Sequence, residues 1–234
     1  MLRVTLVSAS TAVLVLACGP DVIDTASAGS GGSGGSGGSP PEPIVEVLNP
    51  DAPPLPGFDT CEVVITENLP MEGQTHVPVC DAVTYETNPP SSGDHWPLWA
   101  EYRLHESPVP RQVLVHNLEH GAIVMSHRCS EGGAECTSDV LAAFEEAADT
   151  FGVDPLCASV MGAAIRSRVV VTEDPLLETP IALAGWRATY TATCIDVPSM
   201  VDFFERRYGK GTEQTCAQGK DPLDETTGVP ACAN

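Results

Sequence analysis

The chain has 234 residues, with 11 Lys+Arg against 32 Asp+Glu for a formal net charge of −21, and it carries 9 cysteines, 21 glycines and 21 prolines. That length suits one ordinary domain or two small ones, and the acid excess excludes a nucleic-acid binder or a polybasic membrane patch, because phosphates and anionic lipid heads are repelled. Hydrophobic residues at 42% are too many for a chain disordered throughout, while the Gly and Pro content points to disordered parts.

Residues 1–17 read as an export signal, with Arg3 ahead of an uncharged run from Val4 to Ala17 that is too short to span a bilayer. The run ends in Val15-Leu16-Ala17-Cys18, which resembles the lipobox of bacterial lipoproteins. That resemblance implies cleavage before Cys18 and lipidation of its sulfur and amine. A chance cysteine after an ordinary signal peptide is the alternative. From Ala28 to Pro41 the chain is a Gly/Ser repeat closed by Pro-Pro, and prolines recur to Pro56. Residues 18–57 are therefore expected to be a lipid-anchored flexible linker, and residues 58–234 the folded domain. The address implied is extracytoplasmic, at the periplasm or the cell surface, with the membrane as partner through the lipid.

With Cys18 assigned to lipid, Cys61, Cys80, Cys129, Cys136, Cys157, Cys194, Cys216 and Cys232 form an even set of eight. An oxidising compartment makes four disulfides the expectation. No C-x-x-C occurs, which argues against thioredoxin chemistry and zinc ribbons. Connectivity stays open, except that Cys129 and Cys136 flank a Gly132-Gly133 turn and are expected to pair.

In chain order, Cys61 to Thr66 reads as a strand, and Pro70 to Pro110 as a loop whose Tyr85, Trp96, Trp99 and Tyr102 suggest that it wraps onto a core. Val113-Leu-Val115 and Ala122 to Met125 are short apolar runs that suit buried strands. Ser138 is expected to cap a helix over Asp139 to Thr150, with Val140, Leu141, Phe144, Ala147, Ala148 and Phe151 on one face and Gly152 at its end. Arg168 to Thr172 and Ile181 to Ala192 read as strands, rich in β-branched residues. Ser199-x-x-Asp202 resembles a capping box for a helix that carries Met200, Phe203, Phe204 and Tyr208 and closes at Gly209. Beyond Gly211 lies a polar tail for Cys216 and Cys232 to staple. This order predicts a disulfide-stapled α+β domain with a largely antiparallel sheet and two or three helices.

Three of the six histidines lie in two distinctive strings, Asn88-Pro-Pro-Ser-Ser-Gly-Asp-His95 and Val115-His116-Asn-Leu-Glu119-His120-Gly121. His116 and His120, four apart, share a face in a helix or in a strand. Convergent imidazoles are the core of many zinc and copper sites, so His95, His116 and His120 are the expected ligands. Glu119 is expected to stand behind them, holding the outer nitrogen of one ring. Histidines that are merely hydrogen-bonded to backbone near a buried turn are the competing reading. Met125 and His127, two apart on a strand, suit core packing better than a soft copper site. His76 and His105 sit among prolines and read as solvent-facing loop residues. Ser91 and Ser92 belong to a turn, since no G-x-S-x-G elbow is present, and Glu145-Glu146 to a solvated helix face.

The same strings, with Pro108-Val-Pro110 before the second and Ala184-Gly-Trp186-Arg187 ahead of Phe203-Phe204, resemble the domain of unknown function 3105 family from about residue 70 to 213. The resemblance implies an α+β domain, often exported or membrane-anchored, whose patterned histidines fall on His95, His116 and His120 with Glu119. It implies no activity. Asp94 and the eight cysteines depart from the pattern. His116-Asn-Leu-Glu119-His120 is also literally the H-x-x-E-H of inverted zinc peptidases, in which Glu119 would activate water. That motif needs a long helix, and Gly121 with a β-branched run follows at once.

Three functions remain open at this level. One is an anchored domain that binds zinc or copper through its histidines. The second is an anchored interaction module with structural histidines. The third is a metal-dependent hydrolase with Glu119 as base.

Overall fold

A computed structural model describes residues 42–129, 133–159 and 165–221, together with Cys232. The export signal, Cys18, most of the linker and the Gly132 turn lie outside the described residues. The elements are β1 (Ile44–Leu48), β2 (Val63–Glu67), α1 (Arg111–Glu119), β3 (Ile123–His127), α2 (Gly133–Phe151), α3 (Pro155–Ser159), β4 (Val169–Glu173), β5 (Ile181–Gly185), β6 (Ala188–Ala192) and α4 (Val197–Arg207).

The six strands form one sheet in the order β1-β2-β6-β5-β3-β4. All neighbours are antiparallel except β3 and β4, which α2 and α3 connect as a parallel crossover. β5 and β6 make a hairpin across Trp186-Arg187, with Arg187 in the left-handed region at φ 59°. The domain is therefore α+β with a mostly antiparallel sheet, as expected, and four helices lie among the described residues.

Period-two alternation sends successive strand residues to two cores. Ile123, Met125, Val169, Ile181 and Leu183 pack with α2 and α4. Val124, Val170 and Ala184 pack with α1 and with Trp96, Ala100 and Val109 of the long loop. That loop does wrap onto the core: Trp96 is buried and Tyr85 and Tyr102 pack against the same cluster.

Four boundaries differ from expectation for identifiable reasons. β1 pairs with β2 along its whole length, so the folded part begins well before residue 58. As an edge strand whose Ile44, Val45 and Val47 stay exposed, it shows no buried face in its pattern. Val113 to Val115 is helix rather than strand. Every residue of α1 from Val113 to Glu119 is buried, and a helix buried all round carries no amphipathic period. α2 starts at Gly133, ahead of its apolar period, in the turn that holds Cys136. The cap of α4 is Asp196, whose carboxylate accepts from Ser199 N at 3.1 Å, with proline in the first turn.

The eight cysteines pair as Cys61–Cys194, Cys80–Cys232, Cys129–Cys136 and Cys157–Cys216. The expected Cys129–Cys136 pair is present, and Cys216 and Cys232 each tie the tail to a distant part of the chain. Four disulfides fit an oxidising, extracytoplasmic compartment. Among the described residues no helix is long and apolar enough to cross a membrane.

Candidate metal centre

Two backbone features bring the histidines together. A short parallel bridge joins His76 to His95, with Val77 N donating to His95 O at 2.8 Å and His95 N to Thr75 O at 3.0 Å. α1 then carries His116 and Glu119, three apart and so on one face. Gly121 ends the helix in the left-handed region at φ 78° and turns the chain into β3.

One donor atom from each of His76, His95, His116 and Glu119 lies within 4.8 Å of the others. His95, His116 and Glu119 are buried, and His76 is about half exposed, which leaves the cluster open on that side. His95 Nδ1 is 2.8 Å from Gly93 O, and His116 Nδ1 is 2.8 Å from Trp96 O. A carbonyl accepts only, so each Nδ1 carries the hydrogen and each neutral ring keeps its lone pair on Nε2. His95 Nε2 meets Glu119 Oε2 at 3.0 Å, and His76 Nε2 lies 3.9 Å from the same oxygen. A lone pair facing a carboxylate oxygen at that distance requires a cation between them, a proton or a metal.

Burial pushes the His116 pKa down to about 3, reinforced by His120, His95 and His76 and opposed by the hydrogen bond to Trp96. Its ring is thus a neutral donor at any physiological pH. Glu119 has the opposite difficulty, a buried carboxylate with no Lys or Arg partner among the described residues. Besides His95 and His76 it has Thr212 Oγ1, at 3.4 Å from Oε1. Such a charge is costly unless a cation compensates it.

The expected residues are therefore brought together with one exchange. His76, read from sequence as a loop residue facing solvent, supplies a donor. His120, expected as a ligand, lies beside His116 with ring centroids 4.6 Å apart, but its nitrogens stand outside the four-donor group. It is the C-cap of α1, packed edge-on to Trp99, with Nε2 at 3.3 Å from Glu213 and Nδ1 without a partner among the described residues. Glu119, expected behind the ligands, contributes a donor atom itself. The H-x-x-E-H reading loses its basis, because α1 ends at Glu119 and only His116 of its two histidines joins the cluster. Met125 and His127 lie on the other face of the sheet. His105 is buried rather than solvent-facing, with Nε2 donating to Glu101 O at 3.0 Å.

The start of the polar tail, with the two residues before Gly211, supplies part of the site. Glu213 N donates to Glu119 O at 2.9 Å and Gly209 N to Gly121 O at 2.8 Å, which straps residues 209–213 across the end of α1. A Cβ on Gly211 would sit 2.1 Å from Glu119 O, so only glycine allows this approach. A second acidic and sulfur group, Asp154 with Cys157 and Cys216, is no metal site. Its sulfurs form a disulfide, and its carboxylate is occupied by Arg168 and Tyr208.

Residues 76–220 match the family described as "Protein of unknown function (DUF3105)". The chain belongs to the DUF3105 family. No curated protein and no solved structure matches it. The DUF3105 match spans all four donors and stops within the tail that straps Glu119.

Burial also pushes the pKa values of His105, His120 and His127 below the ordinary value. The unfolded chain takes up these protons near pH 6.5, whereas the folded DUF3105 domain resists them, so stability is expected to fall as pH drops below about 6.5. For His116 the loss continues to about pH 3. Each such histidine contributes a slope of about 1.4 kcal/mol per pH unit inside its window. Urea midpoints measured in EDTA from pH 7.5 to pH 4 check this, and a flat profile from 7 to 5 would contradict it.

Proposed function

We propose that the protein is a lipid-anchored extracytoplasmic domain that binds one transition-metal ion, zinc or copper(II), through His76, His95, His116 and Glu119. The observation that carries this reading is the buried Glu119 carboxylate, which lies 3.0 Å from Nε2 of His95, a ring whose Nδ1 hydrogen is already committed to Gly93 O, with one donor atom each of His76 and His116 within 4.8 Å. Three imidazoles and a carboxylate suit zinc or copper(II), whereas copper(I) prefers thiolate or thioether donors. Here the one methionine considered as a soft ligand, Met125, is buried in the opposite core. Half-exposed His76 provides the route by which an ion enters and leaves, which favours metal handling or a redox role over a sealed structural site.

Metal analysis of the purified protein, stripped and then refilled with zinc or copper(II), is expected to find one ion per chain retained after exhaustive dialysis. Less than about a tenth of that would refute the reading and leave an interaction module with structural histidines. The anchor is tested separately. Cys18→Ser is expected to move the protein to the aqueous phase of a detergent partition, because the lipid on that sulfur would be its one membrane attachment.

A further inference from the structure

On the face of the sheet away from the histidine cluster, a groove runs between α2 and the segment Arg103 to Glu106. It consists of two adjoining cavities of about 510 and 340 Å³ that share Leu104 and Leu141. Together they match the size of a small-molecule site. One end is mostly apolar, walled by Leu104, Phe144, Ala148 and Val171 with Ser138 and Glu145 also in its lining, and Leu104 is left 48% exposed there. The other end is lined by His105, His127, Glu106 and Glu173.

The polar end sits where β3 and β4, the only parallel pair among the described strands, finish side by side. His127 is in register with Glu173, so the imidazole and the carboxylate are direct cross-strand neighbours at the carboxyl ends of both strands. His127 is only 8% exposed, and its Nδ1 has no hydrogen-bond partner among the described residues. A buried polar atom without a partner is costly, so a ligand that donates to it gains what the protein leaves unmet. Burial keeps both imidazoles neutral at physiological pH, so the two glutamates set the charge of this end. The nearby Arg103 does not neutralise them. It is held by Glu101 at 2.7 Å, by Asp221 at 2.7 Å and by Leu104 O at 2.9 Å.

We propose that this groove binds a small organic cation, a protonated amine on an apolar body. The ammonium group lies between Glu106 and Glu173 and donates to His127, and the body lies between Leu104 and α2. An amine suits the site better than a metal ion, since His105, His127 and the two glutamates do not form a converged donor group. Charge and apolar surface both contribute, so a ligand with only one of them binds weakly.

The test is calorimetric titration of the purified protein with hexylammonium, hexanol, hexanoate and methylammonium. Saturable binding of hexylammonium is expected, with hexanol and methylammonium each at least about tenfold weaker and hexanoate silent. Glu173→Gln is expected to weaken hexylammonium at least about tenfold. The exposed Leu104→Ser weakens it less, and both variants keep the metal binding of the histidine centre. Equal binding of hexylammonium and hexanol, equal binding of hexylammonium and methylammonium, no saturation, or indifference to Glu173→Gln would each overturn the proposal.

Discussion

Replacing His76 with alanine is expected to lower zinc or copper(II) affinity by about three orders of magnitude, while His120→Ala lowers it by no more than about tenfold. The difference arises because His76 supplies one of four converging donors and His120 does not. A lost donor bond costs on the order of 4 kcal/mol, and each 1.4 kcal/mol is about a factor of ten in affinity. His76 is also the decisive position because its half-exposed side chain can be removed with little loss of packing. His95→Ala and His116→Ala are expected to abolish binding similarly, and also to weaken the fold, since each ring makes a buried hydrogen bond to backbone. Glu119→Gln gives a distinct signature. It removes a buried charge, so the metal-free protein is expected to melt at a higher temperature, while the rise in melting temperature on adding metal disappears. Competition titrations and melting curves with and without metal measure both effects. Equal affinity in wild type and His76→Ala would refute the four-donor arrangement, and a large loss in His120→Ala would restore His120 as a ligand.

Asp154→Ala is expected to cost about 3–5 kcal/mol of stability, because it leaves a buried guanidinium unpaired. Asp154 accepts from Arg168 Nε at 2.6 Å, Tyr208 Oη at 2.6 Å, Leu156 N at 2.7 Å and Cys157 N at 3.2 Å. Arg168, 2% exposed, also donates to His120 O and reaches Gln214 Oε1 at 3.1 Å. The pair therefore couples the end of α1, the strap over Glu119 and the Cys157–Cys216 bridge. Denaturant unfolding of the single variants and of the double variant Asp154→Leu with Arg168→Met measures the coupling. The double variant is expected to recover much of the loss, since apolar residues of similar volume replace buried ion pairs at little cost. A loss below about 1.5 kcal/mol in Asp154→Ala would show that the guanidinium finds another partner or water.

Where local chemistry sufficed, structure was legible in the residues. Gly152 and Gly209 stop their helices in the left-handed region, at φ 86° and 69°. The β-branched runs at β4 and β6 are strands, and Cys129 pairs with Cys136 across a short turn. His95, His116 and Glu119 were legible as chemistry because their residue types and spacing are unusual near a turn. His76 was not legible, because its place depends on a backbone bridge to His95 formed across eighteen intervening positions of irregular loop. His120 stands outside the four-donor group for a related reason. Four-residue spacing shows that two rings share a face, not which nitrogens converge.

By itself the sequence determined the α+β class, an even set of eight cysteines that suits an oxidising compartment, the family, and two strings dense in metal-ligating side chains. These follow from composition, periodicity and residue type, which act within a few positions along the chain. The tertiary structure alone decided that Val113 to Val115 is a helix, that Ile44–Leu48 closes the sheet edge, and that a patternless tail lies over Glu119. It also decided which four atoms face one another. Those outcomes depend on burial from both sides and on contacts between segments far apart in the chain, such as Thr212 with Glu119 on one side and Gln74 on the other. A chain segment carries no local mark of what will be packed against it.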